Sequence, residues 1–109
     1  MRCLGIDYGT RKIGVAVGQT FTRTAMGIAV IPVRSGEVDW KELDSLVQRW
    51  KPNAFVVGMP YNMDGTDSDM TAAAKHFARI LSERYQKPWY PMDERLSTRA
   101  AREITRDNA

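Results

Sequence analysis

Cys3-Leu-Gly-Ile-Asp-Tyr-Gly-Thr-Arg-Lys-Ile-Gly-Val-Ala-Val17 opens the chain with two β-forming runs around a short polar turn. Residues 3–9 read as a strand whose end turns polar and glycine-rich. Ile13 to Val17 reads as a second strand after the turn-like Gly9-Thr10-Arg11-Lys12. With three or four residues between the runs, an antiparallel hairpin is the simplest connection. Thr24 to Val33 is rich in β-formers and small residues and extends the pair to a three-strand meander, with Pro32 pointing to an end at a sheet edge. Asp7 stands apart from its apolar neighbours, because an ionised carboxylate in a core strand is costly unless paired or bound to metal. Its structural role would be to cap the turn at Gly9-Thr10 or to pair with Arg11.

Beyond residue 36 the periodicity changes. Asp39 followed by Glu42 resembles a capping box. Trp40, Leu43, Val47 and Trp50 recur at helical spacing until Pro52 stops them. Ala54-Phe-Val-Val-Gly58 is a continuous apolar run, as in a strand buried on both faces. A polar loop over Met59–Asp69 leads to a second helix whose core face is Met70, Ala73, Phe77, Ile80 and Leu81, ending near Tyr85. Trp89 to Met92 is a last short strand, and Ser97 begins a third helix with Leu96, Ala100 and Ile104 on its apolar side. The order βββαβαβα is that of an α/β domain. Right-handed strand–helix–strand crossovers make the first, Ala54 and Trp89 strands parallel, with their C-terminal ends along one sheet edge.

At 109 residues the chain suffices for one domain and one core. Hydrophobic residues at 43% and charged residues at 27% exclude a disordered composition. No apolar run approaches a membrane span, and the N-terminus enters a strand without a signal-like pattern, so a cytoplasmic, membrane-free protein is expected. Cys3 is the single cysteine and forms no internal disulfide, which fits a reducing compartment. The net charge of +3 is uneven: residues 1–36 hold five basic residues against one acid, and residues 37–109 hold eleven against twelve. A basic N-terminal third suits a polyanionic partner, although many proteins of this charge bind none.

The shared strand edge is where open α/β sheets bind ligands. Asp7 ends the first strand there, and Asp93 and Glu94 follow the last. Neighbouring residues on an extended segment point opposite ways, so one of those two acids can face Asp7 while the other pairs elsewhere, as with Arg95 or Arg99. Carboxylates converging from separate strands suit Mg²⁺ or Mn²⁺. Two such ions can activate water for phosphodiester hydrolysis. The single His76 favours neither zinc nor serine–histidine chemistry. The long loop ending at a helix N-terminus offers backbone amides to a phosphate, with Asn62, Asp64, Gly65 and Thr66 adding side-chain and turn chemistry. At eleven residues it exceeds an ordinary connection. Arg11, Lys12 and Arg23 are expected either to form a basic rim near the first turn or to be scattered surface charge.

Three blocks, Asp7-Tyr-Gly-Thr-Arg-Lys-Ile-Gly-Val-Ala16, Val57-Gly-Met-Pro-Tyr-Asn-Met-Asp-Gly-Thr66 and Asp93-Glu-Arg-Leu-Ser-Thr98, resemble the signature blocks of the YqgF/RuvX family in order and spacing, over essentially the whole chain. The resemblance implies a ribonuclease-H-like fold related to the resolvase RuvC: a mixed five-stranded sheet, three strands antiparallel and two more parallel, flanked by helices in one domain over residues 1–109. It also implies a metal-dependent nuclease, most often assigned to 5′-end processing of 16S rRNA precursor, with resolution of branched DNA as the alternative. By the same resemblance the acidic site falls on Asp7 and the Asp93-Glu94 pair, with Glu94 favoured over Asp93 as the second metal ligand beside Asp7. Substrate contacts are expected from Thr10, Arg11, Lys12, Asn62, Asp64, Gly65, Thr66 and Arg95. Family members normally carry a further acid in a C-terminal helical tail, which this chain is expected to lack.

Two other classes compete. Asp7-x-Gly-Thr10 also resembles the first phosphate loop of two-domain sugar kinases, Hsp70 and actin, although 109 residues supply only one such domain. A nucleic-acid-binding module without catalysis is the other. RNA and branched DNA are not separable from these residues, and neither are a monomer and a homodimer.

Overall fold

The computed structural model describes residues 2–19 and 25–93. The opening hairpin is β1 (Arg2–Tyr8) and β2 (Lys12–Gln19). It is followed by β3 (Ala25–Arg34), β4 (Glu37–Val38), α1 (Trp40–Trp50), β5 (Ala54–Met59), α2 (Asp69–Tyr85) and β6 (Trp89–Asp93). One sheet holds all six strands in the order β4-β3-β2-β1-β5-β6. β1 pairs antiparallel with β2 and parallel with β5, and β5 pairs parallel with β6, as the crossover rule requires. The helix expected from Ser97 lies outside the described residues.

The count of five strands needs correction to six. Ser35 and Gly36 adopt φ of 54° and 78°, both left-handed, and fold the chain back so that Val33 pairs with Val38 and Arg34 with Glu37. Positive φ at both central residues makes a tight hairpin, and glycine supplies one of them without strain. β3 ends at Arg34, one residue past the expected Val33, with Pro32 inside it; the Pro32 carbonyl accepts the Asp39 N–H at 3.4 Å.

Strand alternation divides the sheet into two faces. Leu4, Ile6, Ile13, Val15, Ile31, Val33, Phe55, Val57 and Met59 share one face and are buried with Leu43 of α1 and Ala74, Phe77, Ala78 and Leu81 of α2. Ring contacts fix this layer: Phe77 sits 5.0 Å from Tyr8 and 5.6 Å from Trp40, and Phe55 lies 5.7 Å from Tyr85. Each fully buried large apolar side chain contributes roughly 1.5–3 kcal/mol over its exposed state, so this face is where the fold is stabilised.

Both helices are capped from the sequence. The Asp39 carboxylate accepts the Glu42 N–H at 3.4 Å, and Lys51, in the left-handed region, donates its N–H to the Val47 carbonyl before Pro52. A full capping box forms instead at Ser68 and Thr71, each side chain accepting the other's backbone N–H. The apolar stripe of α2 is rotated from the expected one. Thr71, Ala74, Phe77, Ala78 and Leu81 face the sheet, whereas Ile80 is exposed. The buried Thr71 explains the offset. Its hydroxyl donates to the Pro60 carbonyl at 2.9 Å, a contact that turns its side of the helix inward.

Candidate functional site

Asp7 lies near the C-terminal end of β1, one residue past the last β1–β5 pair, Ile6–Val57. Alternation turns it away from Ile6 and the helical layer, to the second face of the sheet, where its side chain is exposed. Among the described residues it makes no hydrogen bond or ion pair, so neither pairing with Arg11 nor capping of the turn accounts for it. Its cross-strand partner on β2 is Gly14, whose own neighbour on β3 is the exposed Val30. On the other flank β5 continues from Val57 into Gly58.

The turn after β1 holds Thr10 and Arg11, followed by Lys12 at the start of β2, all three exposed. Gly9 is required there, since a Cβ at that position would lie 2.6 Å from the Lys12 carbonyl oxygen. The Arg11 carbonyl accepts the Val33 N–H at 2.8 Å, fixing the turn to β3 while its guanidinium stays at the surface. Two cations therefore follow the exposed carboxylate at the same sheet edge.

The loop after β5 reaches that edge from the neighbouring parallel strand. Its polar groups are largely engaged with one another. Asn62 Nδ2 donates to Thr66 Oγ1 at 3.0 Å and to the Asp67 carbonyl at 3.3 Å. Asp64 Oδ1 accepts both the Thr66 N–H and the Thr66 hydroxyl, at 3.0 and 2.6 Å. Gly65, at φ 88°, donates its N–H to the Asn62 carbonyl. The Ser68 and Thr71 hydroxyls both donate to the Pro60 carbonyl, tying the loop's two ends together at the start of α2. Lys75 meets Asp67 at 2.8 Å, and this hydrogen-bonded carboxylate raises the lysine's pKa. The result is a preformed loop with Asn62, Asp64, Gly65 and Thr66 at the surface.

Asp93 pairs in register with Met59, which is fully buried on the helical face. Paired residues of parallel strands point to the same side, so Asp93 and Asp7 lie on opposite faces. Glu94 and Arg95 lie outside the described residues. Among the described residues no group of three His, Cys, Asp or Glu side chains could hold a metal ion. Asp7 is a hard oxygen donor with open approach and fits as one ligand of Mg²⁺ or Mn²⁺, ions that keep several waters and take few carboxylates.

Two features escaped the sequence reading. One is Gly14, hidden because a glycine in a strand is usually read as mere weakness. The other is Thr71, whose role in the Ser68-x-x-Thr71 capping box departs from the usual Glu or Gln. Away from this edge, Arg84 clasps Asp44 through two bonds of 3.0 and 2.9 Å, and Tyr85 donates to the same carboxylate at 2.6 Å. Those bonds, Arg84's first, hold the Asp44 pKa below its ordinary value. Burial, then the donation to Asp44, pushes the Tyr85 phenol up.

A family model described as "RuvX: Holliday junction resolvase" matches residues 1–109. The chain is 50% identical over 104 residues to a Pseudomonas fluorescens (strain SBW25) protein named "Putative pre-16S rRNA nuclease", covering 95% of this chain and 72% of that one. A Chromohalobacter salexigens protein of the same name is 48% identical over 104 residues, covering 95% and 70%. One from Azotobacter vinelandii is 50% identical over 95 residues, covering 87% and 67%. Such curated relatives are matched over only 65% to 72% of their length. In fold the chain is similar to Thermus thermophilus RuvC, with a TM-score of 0.54 at 17% identity over 85% of this chain and 64% of that one. The same protein in complex with Holliday junction substrate gives 0.55 at the same identity and coverage.

Proposed function

This chain belongs to the RuvX family, and we propose that it is a single-domain nuclease core hydrolysing phosphodiester bonds in structured nucleic acid, with the 5′ end of the 16S rRNA precursor as the preferred substrate. The observation that carries this reading is Asp7: an exposed carboxylate, without a partner among the described residues, at the C-terminal edge of a central strand and on the face turned away from the packed helices. A surface acid placed to no structural end, and followed by Arg11 and Lys12, suits the handling of a phosphate and its counter-charge. The family description favours branched DNA as the second reading, because it describes Holliday junction resolvases.

The division of labour follows from chemistry. Asp7 would hold Mg²⁺ or Mn²⁺ together with Glu94; Asp93 is the weaker choice because its strand position lies on the helical face. Bound there, the ion would polarise the phosphodiester and lower the pKa of an attacking water. Arg11 and Lys12, with Thr10, attract and orient the backbone phosphates. The loop of Asn62, Asp64, Gly65 and Thr66 forms the opposite bank, and its internal hydrogen bonds keep it rigid. Arg95 is assigned a phosphate contact beside Glu94. The partner is nucleic acid, bound by a monomer or a homodimer. No described helix is long and apolar enough to cross a membrane, and we place the protein in the cytoplasm.

The test is cleavage of labelled precursor rRNA and of a four-way DNA junction with Mn²⁺ or Mg²⁺, comparing the chain with its Asp7→Asn variant. Metal-dependent cutting should fall about a thousandfold in the variant, the scale of a lost metal ligand. Stability should stay within about 0.5 kcal/mol, as for an exposed site. Cleavage retained by Asp7→Asn would remove Asp7 from the site, and silence of both proteins on both substrates would reject the nuclease reading. Cutting of the junction alone would select branched DNA.

A further inference from the structure

We infer that Gly14 keeps open the space beside Asp7 through which a polymeric phosphodiester reaches that carboxylate; the inference rests on the nuclease reading above. Gly14 is the cross-strand partner of Asp7, and a Cβ placed on it would lie 3.6 Å from the Asp7 Cβ. Opposed Cβ atoms in antiparallel strands are ordinarily about 4.5–5.5 Å apart. A side chain at position 14 would therefore stand in direct van der Waals contact with the Asp7 side chain.

The fold itself does not ask for glycine here. Gly36 is required by its φ of 78°, and Gly9 by a carbonyl oxygen 2.6 Å from any Cβ. Gly14 has neither constraint: it lies within β2, its φ is not in the left-handed region, and the 3.6 Å contact is one that ordinary side chains make. A glycine in a strand interior weakens that strand through backbone entropy and lost packing. What the missing side chain provides is room, and it provides it next to an exposed carboxylate that makes no bond among the described residues. On the other flank, β5 carries Gly58 directly after Val57, the partner of Ile6, and this position too has no side chain. A nucleic-acid backbone, with a sugar on either side of its phosphate, needs clearance on both flanks. A small diester with a methyl group on one side needs it on one flank only.

The experiment uses the full chain with Gly14→Val, Gly14→Ala and Gly27→Ala. The last is a control on β3, where an added Cβ meets nothing within 4 Å. Three quantities are measured: cleavage of the junction and precursor rRNA, cleavage of methyl p-nitrophenyl phosphate, and the affinity for fluorescein-labelled junction in chelator. Thermal melting accompanies each variant. Gly14→Val should cut the polymers at least roughly tenfold more slowly, and bind the labelled junction more weakly, as expected when the reacting groups are held apart. Its melting temperature should not fall, and cleavage of the small diester should change less than about threefold. Gly27→Ala should match the unaltered chain throughout. Equal polymer cleavage by Gly14→Val and the unaltered chain would overturn the inference alone, as would an equal loss on the small diester. Should the valine variant melt early, Gly14→Ala decides by the same comparison. If the unaltered chain cleaves no polymer, the nuclease reading fails and the inference falls with it.

Discussion

The two faces of the sheet are built from the same strands and do opposite things. One carries Leu4, Ile6, Phe55, Val57 and Met59 against two helices, almost wholly out of water. The other carries Gly14 and Ala16, the exposed Asp7, and the exposed Val30, Tyr90 and Met92. Because side chains alternate along each strand, a single residue step moves from one regime to the other: Ile6 is core and Asp7 is surface. With Asp7 in the proposed site, stability and chemistry are separated by the pleat rather than by distance. Substitutions on the first face should act through folding, and those on the second through function at constant fold.

The largest effect should come from Phe55→Ala. Phe55 is fully buried in β5 and packs on Tyr85. Its truncation should cost about 3–5 kcal/mol in denaturant unfolding. The folded fraction should retain its activity per molecule, since the second face is untouched. A loss of activity beyond the unfolded fraction would break the separation of the two faces.

Thr71→Val comes next and tests where the faces communicate. Thr71 is fully buried, and its hydroxyl joins the Pro60 carbonyl, the Ser68 backbone and the Ser68 hydroxyl. An isosteric valine keeps the packing but leaves those groups short of a partner, which should cost about 2 kcal/mol. Because the same bonds anchor the loop of Asn62 to Thr66, this helical-face substitution should also slow cleavage, unlike Phe55→Ala. Thr71→Ser, which keeps the hydroxyl, should restore the rate. Unchanged cleavage by Thr71→Val would make the loop independent of its anchor.

Much of this was legible in the residues and the rest was not, for identifiable reasons. The parallel placement of β1, β5 and β6 follows from connection length and handedness, which are local in sequence. The position of Asp7 at a strand end was readable because one acid interrupts an apolar run. β4 was missed because two residues carry no periodicity, and Ser35 is not a usual left-handed residue. The face of α2 was misassigned because hydrophobicity counts Ile80 as core and Thr71 as surface; a carbonyl from β5's exit loop reverses both. The bulge between Val15 and Ala16, which lets Ala29 and Gly27 pair with consecutive residues, is likewise a tertiary fact. The face of the sheet on which Asp93 falls needed the register with Met59, which no single-strand reading contains.

The smallest effect lies on the outer side of the helical layer, where Asp44 of α1 accepts bonds from Arg84 and Tyr85 of α2, and Arg84 stacks 4.8 Å from the Trp40 ring. The carboxylate's side chain is 38% exposed, so solvent screens it. Replacement Asp44→Asn should therefore cost under about 1 kcal/mol at pH 6. The dependence on pH has a definite sign. A carboxylate whose folded pKa lies below its unfolded 3.8 stabilises the fold above that value and loses the contribution as pH falls through the lowered one. Melting curves of the unaltered chain and Asp44→Asn should therefore converge as pH drops below 3.8 and stay parallel from pH 5 to 7. A gap that widened on acidification would mean that the bonds from Arg84 and Tyr85 do not favour the ionised acid. Cleavage at neutral pH should not respond, because Asp44 stands behind the helices and Asp7 on the far side of the sheet.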